Sequence, residues 1–385
     1  MDKFEHRFAC VADLKRQAKK RVPAFVFDYI EEGCNANIAI ANNRKALDEV
    51  YLRPDYLGSY QPPQLATSIL GQTYDAPLGI APLGLSGLVW PNASAMHARA
   101  AKAANVPFVL STVSTLSIEE AALNAKDNFW FQLYAPSDQA ICEDLLQRAS
   151  QSGCKHLVVT LDVPTPGRRV KAIKSGLSVP PKITPSTIVQ SALRPAWSLA
   201  TLANGLPQFA NLTQYMDPAT MSMNDAAEFM RTRIRAVVDA KLLAHIRKLW
   251  PHKLIVKGIN DVKDAQLAID IGADAVIVSN HGGRQLDAAK PVVHCLRDIA
   301  DELGHKTTLM ADSGVETGID VARYLALGAH MVFTGRAMLY GVAACGEDGA
   351  THTLELLQLE LAQIMSQVHC HTPGELGLHL IKPKK

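Results

Sequence analysis

Short, almost wholly apolar runs recur along the chain with helical sequence between them, and few folds accept that alternation. Eight runs can be read: Leu78 to Gly84, Phe108 to Thr112, Phe129 to Tyr134, His156 to Asp162, Leu254 to Gly258, Ala275 to Asn280, Thr307 to Ser313 and Met331 to Arg336. Their interiors, such as Leu-Val-Val-Thr-Leu and Ala-Val-Ile-Val-Ser, lack the alternation of a half-exposed antiparallel sheet and match parallel strands buried on both faces. The segment from Asp261 to Gly272 spaces its apolar residues helically and ends on glycine, a stop signal, and Thr317 to Gly328 repeats the pattern. Most successive runs start 21 to 32 residues apart, which is room for one strand, one helix and two short loops. Eight such units predict an α/β fold, a (β/α)8 TIM barrel forming a single domain over 1–385. Helices are expected over 11–50, with Pro23 at a start, and a closing helix over 351–368.

The rhythm breaks once, after the fourth strand, because the fourth run starts at His156 and the fifth only at Leu254. The inserted residues 176–216 are rich in proline and apolar side chains, with Lys182 and Arg194 as their only charges, before Asp225 to Trp250 returns to a charged amphipathic helical pattern. This insertion fits an active-site lid. It equally fits an interfacial membrane patch made by Trp197, Leu199, Leu202, Leu206 and Phe209. The least charged stretches, 76–98 and 195–216, are interrupted by proline and fall short of the about 20 apolar residues of a spanning helix. Met1 to Arg7 carries charges where an export leader needs an apolar run. The seven cysteines include no C-x-x-C pair, so a reducing compartment is expected and neither a disulfide framework nor a zinc knuckle is. With 39 Lys plus Arg against 37 Asp plus Glu, the net charge of +2 provides no broad basic field for nucleic acid.

Barrel enzymes place their chemistry at the C-terminal ends of the strands. Polar residues gather there: Ser111 and Thr112, Gln132 and Tyr134, Thr160 and Asp162, Lys257, Ser279 to His281, Asp312 and Ser313, Gly335 and Arg336. So many polar endings on apolar strands would be costly in a mere scaffold. Within Ser279 to Asp287, His281 is suited to accept a proton near neutral pH and Arg284 to grip a carboxylate with a planar fork. Asp162 is placed to reach His281 across the mouth and stabilise its protonated form. Asp312-Ser313-Gly314 and Gly335-Arg336 end strands seven and eight, where barrels often hold phosphate on glycine-freed amides. Lys257 fits a Schiff-base nucleophile, a charge partner for an anionic cofactor ring, or a structural cation. His369-Cys370-His371 reads as a solvated tail, and Lys15 to Arg21 as the exposed face of a helix.

Ser279 to Asp287 (SNHGGRQLD), with FQLY at 131–134, TLDVPTPGRR at 160–169 and VKGI at 256–259, resembles the FMN-dependent (S)-2-hydroxy acid oxidizing family over about 25–347. The resemblance implies FMN as cofactor, His281 as base with Asp162 as its partner, and Arg169 and Arg284 as clamps for the substrate carboxylate. It further implies that Tyr29 and Tyr134 touch substrate, and that Lys257 lies beside flavin N1, where positive charge favours the reduced flavin. Pro82, Leu83, Gly84, Ser111, Gln132, Thr160 and Ser279 match flavin contacts, and Asp312, Ser313, Gly314, Gly335 and Arg336 match the ribityl and phosphate site. Three positions depart from the family pattern: Glu316 stands where relatives carry an arginine, Leu83 where they carry threonine, and Val113 where glycolate oxidases carry tryptophan. The segment from Leu193 to Leu212 is similar to the one in membrane-associated mandelate and lactate dehydrogenases. That implies peripheral contact on the cytoplasmic side of the inner membrane, a quinone acceptor, a small 2-hydroxy acid as substrate and a homo-oligomer, a tetramer in relatives. A soluble, cytoplasmic oxidase using oxygen and releasing hydrogen peroxide is the alternative within the family, and a Lys257 Schiff-base aldolase the alternative outside it.

Overall fold

The computed structural model describes residues 3–58, 60–177, 184–216 and 237–381. An antiparallel hairpin of β1 (Thr67–Ile69) and β2 (Gln72–Tyr74) precedes the barrel. Eight parallel strands then follow: β3 (Leu78–Ile80), β4 (Phe108–Ser111), β5 (Phe129–Leu133), β6 (His156–Thr160), β7 (Lys253–Ile259), β8 (Ala275–Val278), β9 (Thr308–Ala311) and β10 (Met331–Thr334). β10 pairs back onto β3 and closes the barrel. Each of the eight runs read from the sequence holds one strand, so the (β/α)8 fold stands. Most strands are shorter than their runs, because the polar residues at the end leave the ladder and turn into the mouth.

Two layers of packing make the barrel rigid. Inside it, Val109, Trp130, Val158, Ile255, Ile277, Met310, Met331 and Phe333 fill the axis. Gly79 is what lets Phe333 lie there, since a Cβ at that position would come within 2.5 Å of the ring. The hairpin contributes Ile69 and Tyr74 to the same cluster, and the Trp130 indole donates to the Tyr74 hydroxyl at 2.9 Å. The N-terminal end of the barrel is thereby filled. Outside, the opposite strand faces bury Leu110, Phe131, Leu157, Val159, Val256 and Val278 against the helices.

The N-terminal region forms helices Val11–Arg21, Ala24–Glu31 and Ile38–Asp48, and the second starts directly after Pro23, as expected. Its position matters for the site, because its last carbonyls point at the barrel mouth. The basic run is not simply a solvated face, however. Lys15 pairs with Glu31 at 2.8 Å, and Arg21 donates to the carbonyl of Ala344 at 2.8 Å while lying over the ring of Trp90. The closing helix is Glu347–Gln367. The tail beyond it packs instead of trailing in solvent: Cys370 is fully buried and the His371 ring bonds the carbonyl of Pro62 at 2.9 Å.

In the insertion, helices Pro185–Ala192 and Pro195–Asn204 lie over the N-terminal helices. Trp197, expected on the exposed apolar surface, is buried. Its ring meets Phe25 edge-on and its indole donates to the carbonyl of Leu88 at 3.1 Å. An indole has both an apolar body to hide and a donor to satisfy, and this docking does both. Phe209 is half-buried. The exposed apolar face consists of Ile188, Val189, Leu193, Leu199, Leu202 and Leu206, with Leu202 80% exposed. Lys182 and the 225–236 part of the charged helical pattern lie outside the described residues.

Candidate active site

The segment 279–287 is pinned near both of its ends, which is why it can hold a strained histidine. Asp287 accepts the backbone amides of Ala36 and Ala39 at 2.8 and 2.9 Å, and Asn280 exchanges two side-chain hydrogen bonds of 2.8 Å with Asn43. His281 itself has φ +58°, a left-handed conformation disfavoured for a non-glycine residue, which persists only where surrounding structure enforces it. Its ring is fixed at both nitrogens: Nδ1 meets Oδ1 of Asp162 at 3.0 Å and Nε2 meets the Tyr134 hydroxyl at 3.3 Å. The ring is 18% exposed and the carboxylate 10%. Gly258, at φ +94°, makes the approach possible, because a Cβ there would fall 2.7 Å from the Asp162 side chain. Burial alone would raise the Asp162 carboxyl, but the imidazole of His281 and the ammonium of Lys257 outweigh it and hold it below the usual carboxylate range.

Lys257 lies at the floor of the mouth, 4% exposed, bonded to Oγ of Ser279 at 2.7 Å and paired with Asp312 at 2.9 Å. Burial opposes its charge, and the Asp312 and Asp162 carboxylates overcome that and raise it. Ser111, Gln132 and Thr160 form a relay along the strand ends, with bonds of 3.0 and 3.1 Å. Pro82, Leu83 and Gly84 follow β3, half-buried, and the Gly84 carbonyl accepts the Tyr29 hydroxyl at 2.8 Å.

Arg284 donates to the carbonyls of Tyr29 and Ile30 at 3.1 and 2.7 Å, and Arg336 to that of Ile30 at 3.1 Å. Cations at a helix C-terminus meet its exposed carbonyls and dipole favourably. Arg169 and Arg284 both lie over the ring of Tyr29, about 5.6 and 5.5 Å from its centre. Burial lowers the Arg284 guanidinium first, and repulsion from Arg169 and Arg336 lowers it further. Half-buried cations that repel one another in an open mouth are arranged for an anion. Gly314 and Ser313 sit at φ +80° and +83°, and a Cβ on Gly282 would fall 2.8 Å from Arg336, so this corner depends on glycine to stay open.

The structure thus brings all the singled-out residues to one mouth. It also reveals a support the sequence reading passed over. Glu32 is almost fully buried and accepts the amides of Lys171 and Ala172, fixing the turn that carries Arg169. The available signal is the adjacent pair Glu31-Glu32 closing the largely apolar Ala24–Glu31 helix. Glu316, at the end of the β9 turn, is half-buried, and burial raises its carboxyl while Lys15 and Arg336 counteract that.

Residues 18–383 match the family described as FMN-dependent dehydrogenase. This chain belongs to that family. Among its relatives, an L-lactate dehydrogenase of Caulobacter vibrioides is 39% identical over 355 residues, 92% of each chain. An (S)-mandelate dehydrogenase of Pseudomonas putida is 36% identical over 360 residues, 94% of this chain and 90% of the relative. A crystal structure described as the monotopic membrane protein (S)-mandelate dehydrogenase superposes with a TM-score of 0.92 at 35% identity, covering 97% of this chain and 99% of that one. The FMN-dependent dehydrogenase family fixes the cofactor as FMN and the protein as a 2-hydroxy acid oxidoreductase. The residues present fit that cofactor. A buried ammonium, a hydroxyl and amide relay along the strand ends, and a glycine-opened corner with Arg336 offer donors to a flavin ring and its phosphate. Among the described residues, no helix is long and apolar enough to cross a membrane, and no group of side chains is arranged to hold a metal ion.

Proposed function

We propose that the protein oxidises an (S)-2-hydroxy acid such as lactate or mandelate to the 2-oxo acid, with His281 as the base. The observation that carries this reading is the Asp162–His281–Tyr134 chain set beside the half-buried Arg284. Bound FMN supplies the acceptor for the two electrons. Arg169 and Arg284 hold the substrate carboxylate, Tyr29 and Tyr134 border it, and Nε2 of His281 takes the departing proton. Asp162 keeps Nδ1 occupied, so that Nε2 is the nitrogen turned to the substrate, and offers a negative charge to the ring as the proton arrives. Pro82, Leu83, Gly84, Ser111, Gln132, Thr160 and Ser279 would line the flavin, with Lys257 as the cation beside its ring. Asp312, Ser313, Gly314, Gly335 and Arg336 would hold the ribityl chain and phosphate. With Glu316 in place of the arginine usual in the family, Arg336 and backbone donors carry more of that phosphate.

Anaerobic addition of a panel of (S)-2-hydroxy acids is expected to bleach the flavin, with the preferred side chain read from the rates. Mixing the reduced protein with a soluble quinone should restore the colour faster than air does. Rapid reoxidation by air with peroxide formation would move the protein to the oxidase class.

The quinone reading rests on the insertion. Six exposed aliphatic side chains, four on the two adjoining helices and Leu193 and Leu206 just beyond their ends, offer apolar surface that the interface of a bilayer would cover. Replacing residues 177–215 by a short linker is expected to release the protein from membranes while FMN stays bound; continued sedimentation with the membrane fraction would refute peripheral attachment through this segment.

A further inference from the structure

We propose that Asn211, near the far end of the insertion, is a positioning residue for the side chain of the hydroxy acid, a role that rests on the function proposed above: it fixes the loop after β4 so that Val113 stands against Gly84. Leu206 is one of the exposed apolar side chains of the insertion, yet Asn211, close behind it in the chain, is fully buried. A buried carboxamide has to find partners for both its oxygen and its NH2 group. Asn211 finds them in the backbone of one loop and of the helix it leads into. Oδ1 accepts the amide of Ile118, the first residue of helix Ile118–Ala125, at 2.8 Å. Nδ2 faces the carbonyls of Leu116 at 3.3 Å and of Ser111 and Thr112 at 3.5 Å. The amide of Ala210 donates to the carbonyl of Ser114 at 3.1 Å. Asn211 is itself anchored, since its carbonyl accepts Arg148 at 3.4 Å and Glu119 holds that guanidinium with both oxygens, at 2.8 and 3.0 Å.

This grip falls on the part of the loop that borders the mouth. Ser111 and Thr112 are tied to β5 independently, by the bond from Ser111 Oγ to Oε1 of Gln132 at 3.0 Å and from the Thr112 amide to the Gln132 carbonyl at 3.0 Å. The flavin contacts proposed on those strands therefore do not depend on Asn211. Beyond Thr112 the loop is held between two supports. On the β3 side the Leu85 amide donates to the Val113 carbonyl at 2.9 Å, and the Ser94 and Ser114 hydroxyls bond at 2.9 Å; on the other side stand Ala210 and Asn211. Between them Val113 closes on Gly84, where a Cβ would fall 2.8 Å from Cγ2 of the valine. The Gly84 carbonyl accepts the hydroxyl of Tyr29, a residue proposed to border the substrate. Val113 and Tyr29 thus meet at one glycine, and the support behind Val113 sets the room left there for a substrate side chain. Without that support the wall relaxes, which loosens the fit of a small acid while His281, carried on a separately pinned segment, stays in place.

Asn211→Ala in the FMN-loaded protein tests this, with Ser117→Ala as the control, because it removes the N-cap of helix Ile118–Ala125 and weakens the same region without releasing the grip. In anaerobic stopped-flow, Asn211→Ala is expected to raise the half-saturating concentration of (S)-lactate about tenfold and the preference for (S)-mandelate over lactate at least about fivefold, while the limiting rate of flavin reduction by mandelate stays within about threefold. Ser117→Ala should leave the preference within about twofold of the wild type, since a lost cap costs stability and moves no wall of the mouth. Hydrogen exchange of the 113–118 amides should quicken at least about tenfold in Asn211→Ala, and that of β5 should not. Asn211→Ser keeps a hydroxyl in the space and should show the same changes to a smaller degree, which preserves the test where alanine fails to fold. The assignment fails if the mandelate preference does not rise in the Asn211 variants, if Ser117→Ala raises it equally, or if exchange of the loop is unchanged. A wild type reduced by neither acid would instead defeat the proposed function, and the exchange comparison would still decide whether Asn211 holds the loop.

Discussion

Replacing His281 by asparagine is expected to slow reduction of the flavin by its hydroxy acid by about 10²–10⁴-fold, the usual worth of a positioned general base, while FMN remains bound. Asparagine suits the test because it tolerates the left-handed backbone that this position imposes at φ +58°. The variant therefore loses the proton acceptor without forcing the 279–287 turn to rearrange. The turn is held independently of the imidazole, by Asp287 on Ala36 and Ala39 and by Asn280 on Asn43. Anaerobic stopped-flow at the flavin absorbance reads the rate directly, and the unchanged visible spectrum reports that the cofactor site is intact. A reduction rate within about twofold of the wild type would remove His281 from the chemistry, since a base worth so little is outside that range. The pattern would then favour Tyr134, whose hydroxyl lies 3.3 Å from Nε2.

What the sequence made legible, and what it did not, divides along a physical line. Parallel strands buried on both faces leave an unmistakable mark, so all eight were placed, and the polar residues that break each run fell at the mouth because nothing apolar could tolerate them there. Side chains whose role depends on a distant partner left no such mark. Trp197 reads as part of an exposed apolar stretch until Phe25 and the Leu88 carbonyl, more than a hundred residues away in sequence, are seen to receive it. Glu32 looks like a second acid at a helix end, and only the fold reveals that it anchors the Arg169 turn. The tail at His369 to His371 is polar enough to be solvated, yet its backbone and Cys370 pack beneath the segment around Pro62. Local composition reports what a residue tolerates; pairing across the chain decides what it does.

Lys257→Met should be the most destabilising single change at the site, because it leaves a buried carboxylate without its cation. Lys257 and Asp312 are 4% and 8% exposed and 2.9 Å apart. Removing one partner of such a pair typically costs about 3–5 kcal/mol, most of it the penalty on the charge left behind. Here the penalty falls on two carboxylates, since Lys257 also helps hold Asp162 in its charged form. Methionine matches the length of the lysine stem, so little of the loss comes from a cavity. Adding Asp312→Asn removes the orphaned charge and should recover part of the stability, although Asp312 also accepts from Ser313 at 2.8 Å and the recovery will be incomplete. Urea unfolding of both variants and the wild type separates the terms: a double variant no more stable than Lys257→Met would show that the lost stability does not arise from the stranded Asp312. The two roles of the lysine also separate, because a double variant that regains stability still lacks the cation proposed to sit beside the flavin ring. Its flavin should be harder to reduce than that of the wild type, as measured by anaerobic redox titration, since positive charge near N1 is what favours the reduced anionic ring.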